Sequence, residues 1–317
     1  MNHLREKRAT REAYGDALLE LGAKYPNVVV LDADLAKSTT SIKFANAYPE
    51  RFIECGIAEQ NMMDIAAGIS TCGKVCYTGS FAIFATGRAF EQVRNTIAYS
   101  NLNVKLCPTH AGISVGADGS SHQSVEDIAV MRAVPNMKVV VPADYFEARE
   151  AVKAAYHIEG PIFIRLGREP APIIFDVNYR FRFGEILKLR KGSDVTIFAI
   201  GIMVNEALEA AEKLGEKGIS VEVINVPTIK PLDAEGILES VEKTKAVVTA
   251  EEHTIIGGLG SAIAELLAET TPTPIARVGI RDEFGQSGSA AELLKHYGLT
   301  SQDIVEAVGR VLSRKWV

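Results

Sequence analysis

The chain has 317 residues, with 34 lysines and arginines against 40 acids and a formal net charge of −6. Cations and acids are interspersed, which argues against a general nucleic-acid surface and against a polybasic membrane anchor. Hydrophobic residues make up 47% and charged residues 23%, the range of a globular chain with room for two cores of ordinary size.

In chain order, the charged opening MNHLREKRATREAYG has no apolar signal-peptide core. No later run approaches the roughly 18 apolar residues a membrane helix needs, so the expected location is the cytoplasm. Thr10 is expected to cap a helix REAYGDALLELGAK, followed by a buried strand VVVLDA at residues 28–33. A helix starts at Glu59, runs through QNMMDIAAGIS and ends near Gly73, before a strand KVCYT. Residues 84–100 read as helix, NVKLC as strand and 112–119 as a glycine-rich loop. Helix 126–133, strand KVVV, helix DYFEAREAVKAAYH and strand PIFIRL complete the first half.

Between Arg168 and Lys191 the text EPAPIIFDVNYRFRFGEILKLRKG changes to proline with alternating aromatic and basic residues, an extended connector. The second half alternates again: strands DVTIFAI, SVEVINV, AVVTAEE and PIARVGI, with helices between them and two at the end. This alternation predicts an α/β protein of two domains, 1–180 and 181–317, each a mostly parallel sheet with helices on both faces. No fixed-period repeat or low-complexity tract appears, which excludes a solenoid. Cys55, Cys72, Cys76 and Cys107 form no paired CxxC and read as reduced, mostly buried thiols.

Three features carry possible chemistry. GIAEQNM at 56–62 places Glu59 in a first helical turn, where a carboxylate also simply complements the macrodipole. SFAIFATGRAF sets Phe81 and Phe84 three apart, a spacing equally common in cores. THAGISVGADGSSHQSVED strings His110, Asp118 and His122 along a loop between a strand and a helix. That set suits a proton relay, a metal site or plain turn chemistry, and its spacing matches no common zinc motif. No metal ligand set is expected on this chain.

Together with PNMKVVVPAD, these motifs resemble the pyrimidine-binding domain of transketolases, and the second half resembles the transketolase C-terminal domain. The resemblance covers nearly all of the chain. It implies that Glu59 binds ring nitrogen N1′ of the aminopyrimidine of thiamine diphosphate and so promotes proton loss from thiazolium C2. It implies an aromatic wall from Phe81 and Phe84, with Gly87 where many members carry a third aromatic residue. Asp34 matches an acid near the cofactor at the subunit interface. His110 and Asp118 match contacts to donor-sugar hydroxyls, and His122 a group in proton transfer near the reacting carbon. Arg11, Ser38 and Arg168 match sugar-phosphate contacts. Each has a plainer alternative: Ser38 could cap a short helix, Asp34 could end a strand, and Arg168 could be a solvated charge. Arg11 is more telling, since a cation in a first helical turn opposes the dipole.

Family members also hold the diphosphate through a divalent metal, signalled by GDG and a downstream asparagine, and this sequence has no such pair. The resemblance therefore implies the C-terminal subunit of a split transketolase in an α2β2 assembly. Mg²⁺ or Ca²⁺ would be held by a separate N-terminal subunit, and the substrates would be sugar phosphates. Rival readings are a deoxyxylulose-phosphate synthase, which has arginine where His110 stands, and the beta subunit of a 2-oxo-acid dehydrogenase. A non-catalytic assembly subunit is the alternative outside enzymes.

Overall fold

The computed structural model describes residues 6–315. The first five residues of the charged opening stretch, and residues 316–317, lie outside the described span. No helix among the described residues is long and apolar enough to cross a membrane.

The first half runs β1 (Lys7–Arg8), α1 (Thr10–Lys24), β2 (Val28–Asp32), α2 (Ala36–Thr39), α3 (Ile42–Ala47), β3 (Phe52–Glu54), α4 (Glu59–Ser70) and β4 (Val75–Gly79). It continues through β5 (Val104–Leu106), α5 (Asp127–Ala133), β6 (Lys138–Val140), α6 (Tyr145–Ala155), β7 (Ile162–Ile164) and β8 (Ala171–Pro172). The second half comprises β9 (Leu187–Arg190), β10 (Val195–Ala199), α7 (Met203–Gly215), β11 (Val221–Asn225), β12 (Thr228–Lys230) and α8 (Ala234–Thr244). β13 (Val247–Thr254), α9 (Leu259–Glu269), β14 (Ile275–Ile280), α10 (Ala290–His296) and α11 (Ser301–Leu312) follow.

These elements form the α/β architecture the alternation predicts. A seven-stranded sheet has the order β12-β6-β7-β5-β4-β2-β3, and a five-stranded sheet the order β14-β13-β10-β11-β9. Within these two sheets all pairings are parallel except those of the edge strands, β12 with β6 and β9 with β11. β2, β4, β10 and β11 are buried at every residue, which is why they are mostly apolar on both faces, with polar exceptions such as Thr196 and Glu222 that pair with each other inside the fold.

The structure corrects several local expectations. Thr10 is the first residue of α1, not its cap; the N-cap is Ala9, without a side-chain bond. The Thr10 hydroxyl instead accepts from the Gly167 amide at 2.7 Å, tying α1 to the chain beyond β7. The helix expected over 84–100 contains two π-helical stretches, Phe84–Arg88 and Gln92–Ala98. The amide of Ala89 reaches the Phe84 carbonyl and that of Tyr99 the Arg94 carbonyl, both i to i+5; such widened turns recur at functional sites. The connector is not wholly irregular, because β8 pairs antiparallel with β1 and β9 joins the second sheet. Of the four thiols, all free, Cys76 and Cys107 are buried, Cys55 is half-buried and Cys72 exposed.

The two halves are not independent. β12 leaves the second half to pair with β6 of the first sheet, through Thr228 opposite Val140 and Lys230 opposite Val139. One apolar cluster runs through both, joining Leu31, Met62 and Phe163 to Phe198, Ile224, Val226 and Leu259.

Candidate active site

The candidate residues gather at the carboxyl ends of the first sheet's parallel strands, where open α/β sheets place ligands. Asp34 follows β2, Glu59 follows β3, Phe81 follows β4, His110 follows β5 and Arg168 follows β7.

Glu59 opens α4, with Ala58 as an N-cap that makes no side-chain bond. Simple capping would leave the carboxylate at the surface, yet Glu59 is 1% exposed. Arg88 Nη1 donates to Glu59 Oε1 at 3.0 Å and Oε2 at 2.9 Å. Beside this pair the rings of Phe81 and Phe84 lie near-parallel, 5.9 Å apart and 14° from coplanar. Phe81 is buried and Phe84 half-buried. Gly87 is exposed, and a Cβ there would meet nothing closer than Ile83 Cδ1 at 3.8 Å, so the wall is open on that side.

The loop after β5 brings the histidines to the same wall. His110 is buried and stacks on Phe81 at 3.8 Å between centroids. Its backbone is left-handed, φ 57°, an uncommon conformation for a residue with a Cβ and one that recurs at functional sites. Burial, then the charges of Arg11 and Arg168 and the neighbouring His122, push its pKa down to about 3. Its imidazole is therefore neutral at physiological pH, with Nδ1 2.8 Å from the Thr109 hydroxyl. His122 is half-buried and meets the Phe84 ring edgewise at 5.4 Å.

Arg168 and Arg11 flank this group. Arg168 Nη1 donates to the Val115 carbonyl at 2.8 Å and lies 3.3 Å from Asp118 Oδ2. Arg11 Nη1 donates to the Ser38 carbonyl at 2.9 Å, while its Nε is buried without a partner among the described residues. Burial and the charge of Arg168 lower the Arg11 pKa. A partly desolvated guanidinium with an unpartnered Nε is suited to binding an anion. Ser38 thus joins the group through its carbonyl, its side chain making no hydrogen bond among the described residues. Asp34 is not brought in: it is exposed, with φ 59°, and its amide donates to Glu54 Oε1 at 2.7 Å.

The loop is clamped from the second half by residues that sequence reasoning passed over. Glu252 on β13 accepts from the Ser114 amide at 2.6 Å. It leaves no room for a side chain at Gly112, where φ is +83° and a Cβ would lie 2.4 Å from the Glu252 carboxyl. Arg165 donates to Asp127 and to the Ser124 and Glu252 carbonyls, all of them buried residues. His253, also buried, donates from Nδ1 to the Thr254 carbonyl at 2.7 Å and accepts at Nε2 from the Ala129 amide at 3.3 Å. Both ring nitrogens are thereby assigned as in a neutral imidazole, so its 3.7 and 3.9 Å approaches to Glu251 and Asp127 are not ion pairs. The signal in the sequence was there: a run Glu251, Glu252, His253 inside a strand of a buried parallel sheet is a conflict that only buried partners resolve. A separate recess of about 860 Å³ beside α7 is lined by Glu206, Glu209 and Glu212 and by none of the candidate residues.

A parallel sheet with a buried carboxylate, an aromatic wall and two histidines at its carboxyl edge, joined to a second Rossmann-like sheet, defines a thiamine-type pyrimidine-binding architecture. Residues 6–172 match the transketolase pyrimidine binding domain and residues 184–304 the transketolase C-terminal domain. The chain belongs to the transketolase family, whose members depend on thiamine diphosphate. It is 48% identical over 301 residues to a putative transketolase C-terminal section of Methanocaldococcus jannaschii, covering 94% of each chain. It is 46% identical to the 6-deoxy-6-sulfo-D-fructose transketolase subunit SqwH of Clostridium sp. (strain MSTE9), covering 98% of this chain and 96% of the relative. A solved split gene transketolase, described as an inactive beta4 tetramer, superposes with a TM-score of 0.91 at 52% identity, covering 98% of this chain and all of that one.

Proposed function

We propose that this chain is the C-terminal subunit of a split transketolase. With a separate N-terminal subunit it transfers a two-carbon ketol unit from a ketose phosphate to an aldose phosphate. The observation that carries this reading is the buried Glu59 carboxylate beside the Phe81–Phe84 wall, within one loop of His110 and His122. That arrangement fits the aminopyrimidine half of thiamine diphosphate: Glu59 has lone pairs left for a second donor, and the open side at Gly87 gives a flat ring a way in. The diphosphate and its divalent metal belong, on this reading, to the partner subunit in an α2β2 assembly.

When bound, thiamine diphosphate supplies the nucleophilic carbon and the electron sink for cleavage of a carbon–carbon bond. Glu59 holds the proton at the pyrimidine ring nitrogen, and Phe81 and Phe84 fix the ring plane and exclude water. His110, being neutral, offers a hydrogen bond to a sugar hydroxyl rather than a charge. Asp118 takes a second hydroxyl, and a donor sugar lacking that group would leave it unpaired. Arg11 and Arg168, with Ser38, receive the phosphate, and His122 moves a proton at the hydroxyl next to the reacting carbon. Asp34, exposed in the single chain, is assigned to the subunit interface. The division of the chain near residue 180 belongs to the same proposal. Relatives of different substrate, such as the sulfofructose transketolase subunit, leave the sugar itself to be measured.

The decisive experiment is reconstitution. The chain alone, with thiamine diphosphate and magnesium, is expected to show no ketol transfer, and mixing with its N-terminal partner to restore it. Xylulose 5-phosphate with ribose 5-phosphate, set against pyruvate with glyceraldehyde 3-phosphate, separates transketolase from synthase chemistry. Robust activity of the chain by itself defeats the split arrangement.

A further inference from the structure

The reading of Glu59 leaves its neighbour unaccounted for. Arg88 meets both carboxylate oxygens through one nitrogen, and it is the only side-chain hydrogen-bond partner of Glu59 among the described residues. Glu59 is sealed in, whereas the Arg88 side chain is 47% exposed. The guanidinium carbon lies 4.4 Å from the centroid of the Phe84 ring. One flexible cation therefore lies across both features a planar heterocycle would need, the acid and the aromatic face.

The backbone around it is built to let the side chain go. Arg88 ends the π-helical stretch Phe84–Arg88, directly after the exposed Gly87, where a Cβ would meet only Ile83 Cδ1 at 3.8 Å. No second acid is bonded to Arg88 among the described residues, so apart from Glu59 only the Phe84 ring face holds its guanidinium. A half-exposed guanidinium returns to water at small cost, while a buried carboxylate left with no partner is costly. An exchange in which a ring N–H replaces the arginine N–H keeps the acid paired before and after.

We propose that Arg88 is a latch on the cofactor pocket. It holds and orients the Glu59 carboxylate in the empty subunit, and swings toward the open face at Gly87 when the aminopyrimidine takes its place. This rests on the assignment of Glu59 to that ring. It makes cofactor entry a gated step, in which the competent state is the fraction of molecules with Arg88 displaced, and the apparent affinity falls by that fraction.

Stopped-flow binding of thiamine diphosphate to the assembled enzyme, read by fluorescence or circular dichroism, tests the latch without turnover. In the native protein the observed rate should rise with cofactor concentration along a slope reduced by the fraction of molecules with Arg88 displaced. In Arg88→Gln the slope should be several-fold steeper, with a dissociation constant several-fold lower, and Arg88→Lys should fall between. Weaker binding with faster dissociation in Arg88→Gln would make the arginine a lasting cofactor contact and overturn the proposal. Glu59→Gln separates this failure from that of the underlying reading. If its binding rate and affinity equal the native ones, Glu59 does not meet the cofactor, and the latch falls with it.

Discussion

Nε of Arg165, the residue that follows β7, lies 3.0 and 2.9 Å from the two carboxylate oxygens of Asp127, and both side chains are buried. Two further Arg165 bonds run to the Ser124 and Glu252 carbonyls. One guanidinium thus joins the end of the histidine loop, the start of α5 and β13 of the other half. Removing one partner of such a pair leaves the other charge uncompensated, at about 3–5 kcal/mol. Arg165→Met should lower unfolding stability by that order, measured by urea denaturation. A loss under about 1 kcal/mol would mean the network bears no strain of the interdomain contact.

Glu59→Gln is isosteric and should leave folding and subunit assembly intact. If Glu59 is the acid at the pyrimidine nitrogen, the assembled enzyme should lose about 10²- to 10⁴-fold in kcat, the usual worth of one well-placed acid–base group. Steady-state kinetics of the reconstituted pair decide it, and an unaltered kcat removes Glu59 from the role.

His110 acts on this reading as a neutral hydrogen-bond partner. Truncation to Ala should raise the donor KM, while Asn, which keeps a polar group, should recover part of the loss. Because burial and two arginines hold its pKa near about 3, the inflections of the pH–rate profile between roughly pH 5 and 9 should not move in His110→Asn. A shifted acid limb would show that this imidazole titrates in the working range after all.

Acid should loosen the fold through His253. Its folded pKa is pushed down to about 3 by burial and then by the charge of Arg165, against an ordinary value of 6.5. Between those values the unfolded chain binds the proton and the folded chain does not. Stability is therefore full above about pH 6.5 and declines as the pH falls toward 3. By pH 5 the loss amounts to about 2 kcal/mol for this one group, at 1.36 kcal/mol per unit. Asp32 and Glu147, pushed up to about 6 and about 7 by burial, run the other way, but they are common to both proteins in a comparison. Urea unfolding at pH 7 and pH 5 should show the native chain losing more than His253→Gln by that amount. Equal losses would place the proton elsewhere.

The sheets were legible because buried parallel strands such as Val28–Asp32 and Val195–Ala199 are predominantly apolar, each with a single polar residue. Glu59, His110 and His122 were legible because their motifs sit at strand ends. Arg88 was not, since an i to i+5 turn differs from a helical one by a single residue and leaves the apolar spacing almost unchanged. Thr228–Lys230 was not, because three residues between prolines are too short to show a period of two. Asp34 reads as a site residue, yet it is exposed in the single chain, because its left-handed backbone at φ 59° carries the residue out of the end of β2.

The excursion of β12 into the first sheet has a consequence for how such a gene could be divided. The Val141 amide donates to the Pro227 carbonyl, and the Lys230 ammonium to the carbonyls of Arg132 and Val134. A break within residues 173–183 would give two products, one with the edge of β6 bare and the other trailing the ribbon that belongs on it. Each would be sticky until they met again, so this seam is a poor place for evolution, or a cloner, to cut.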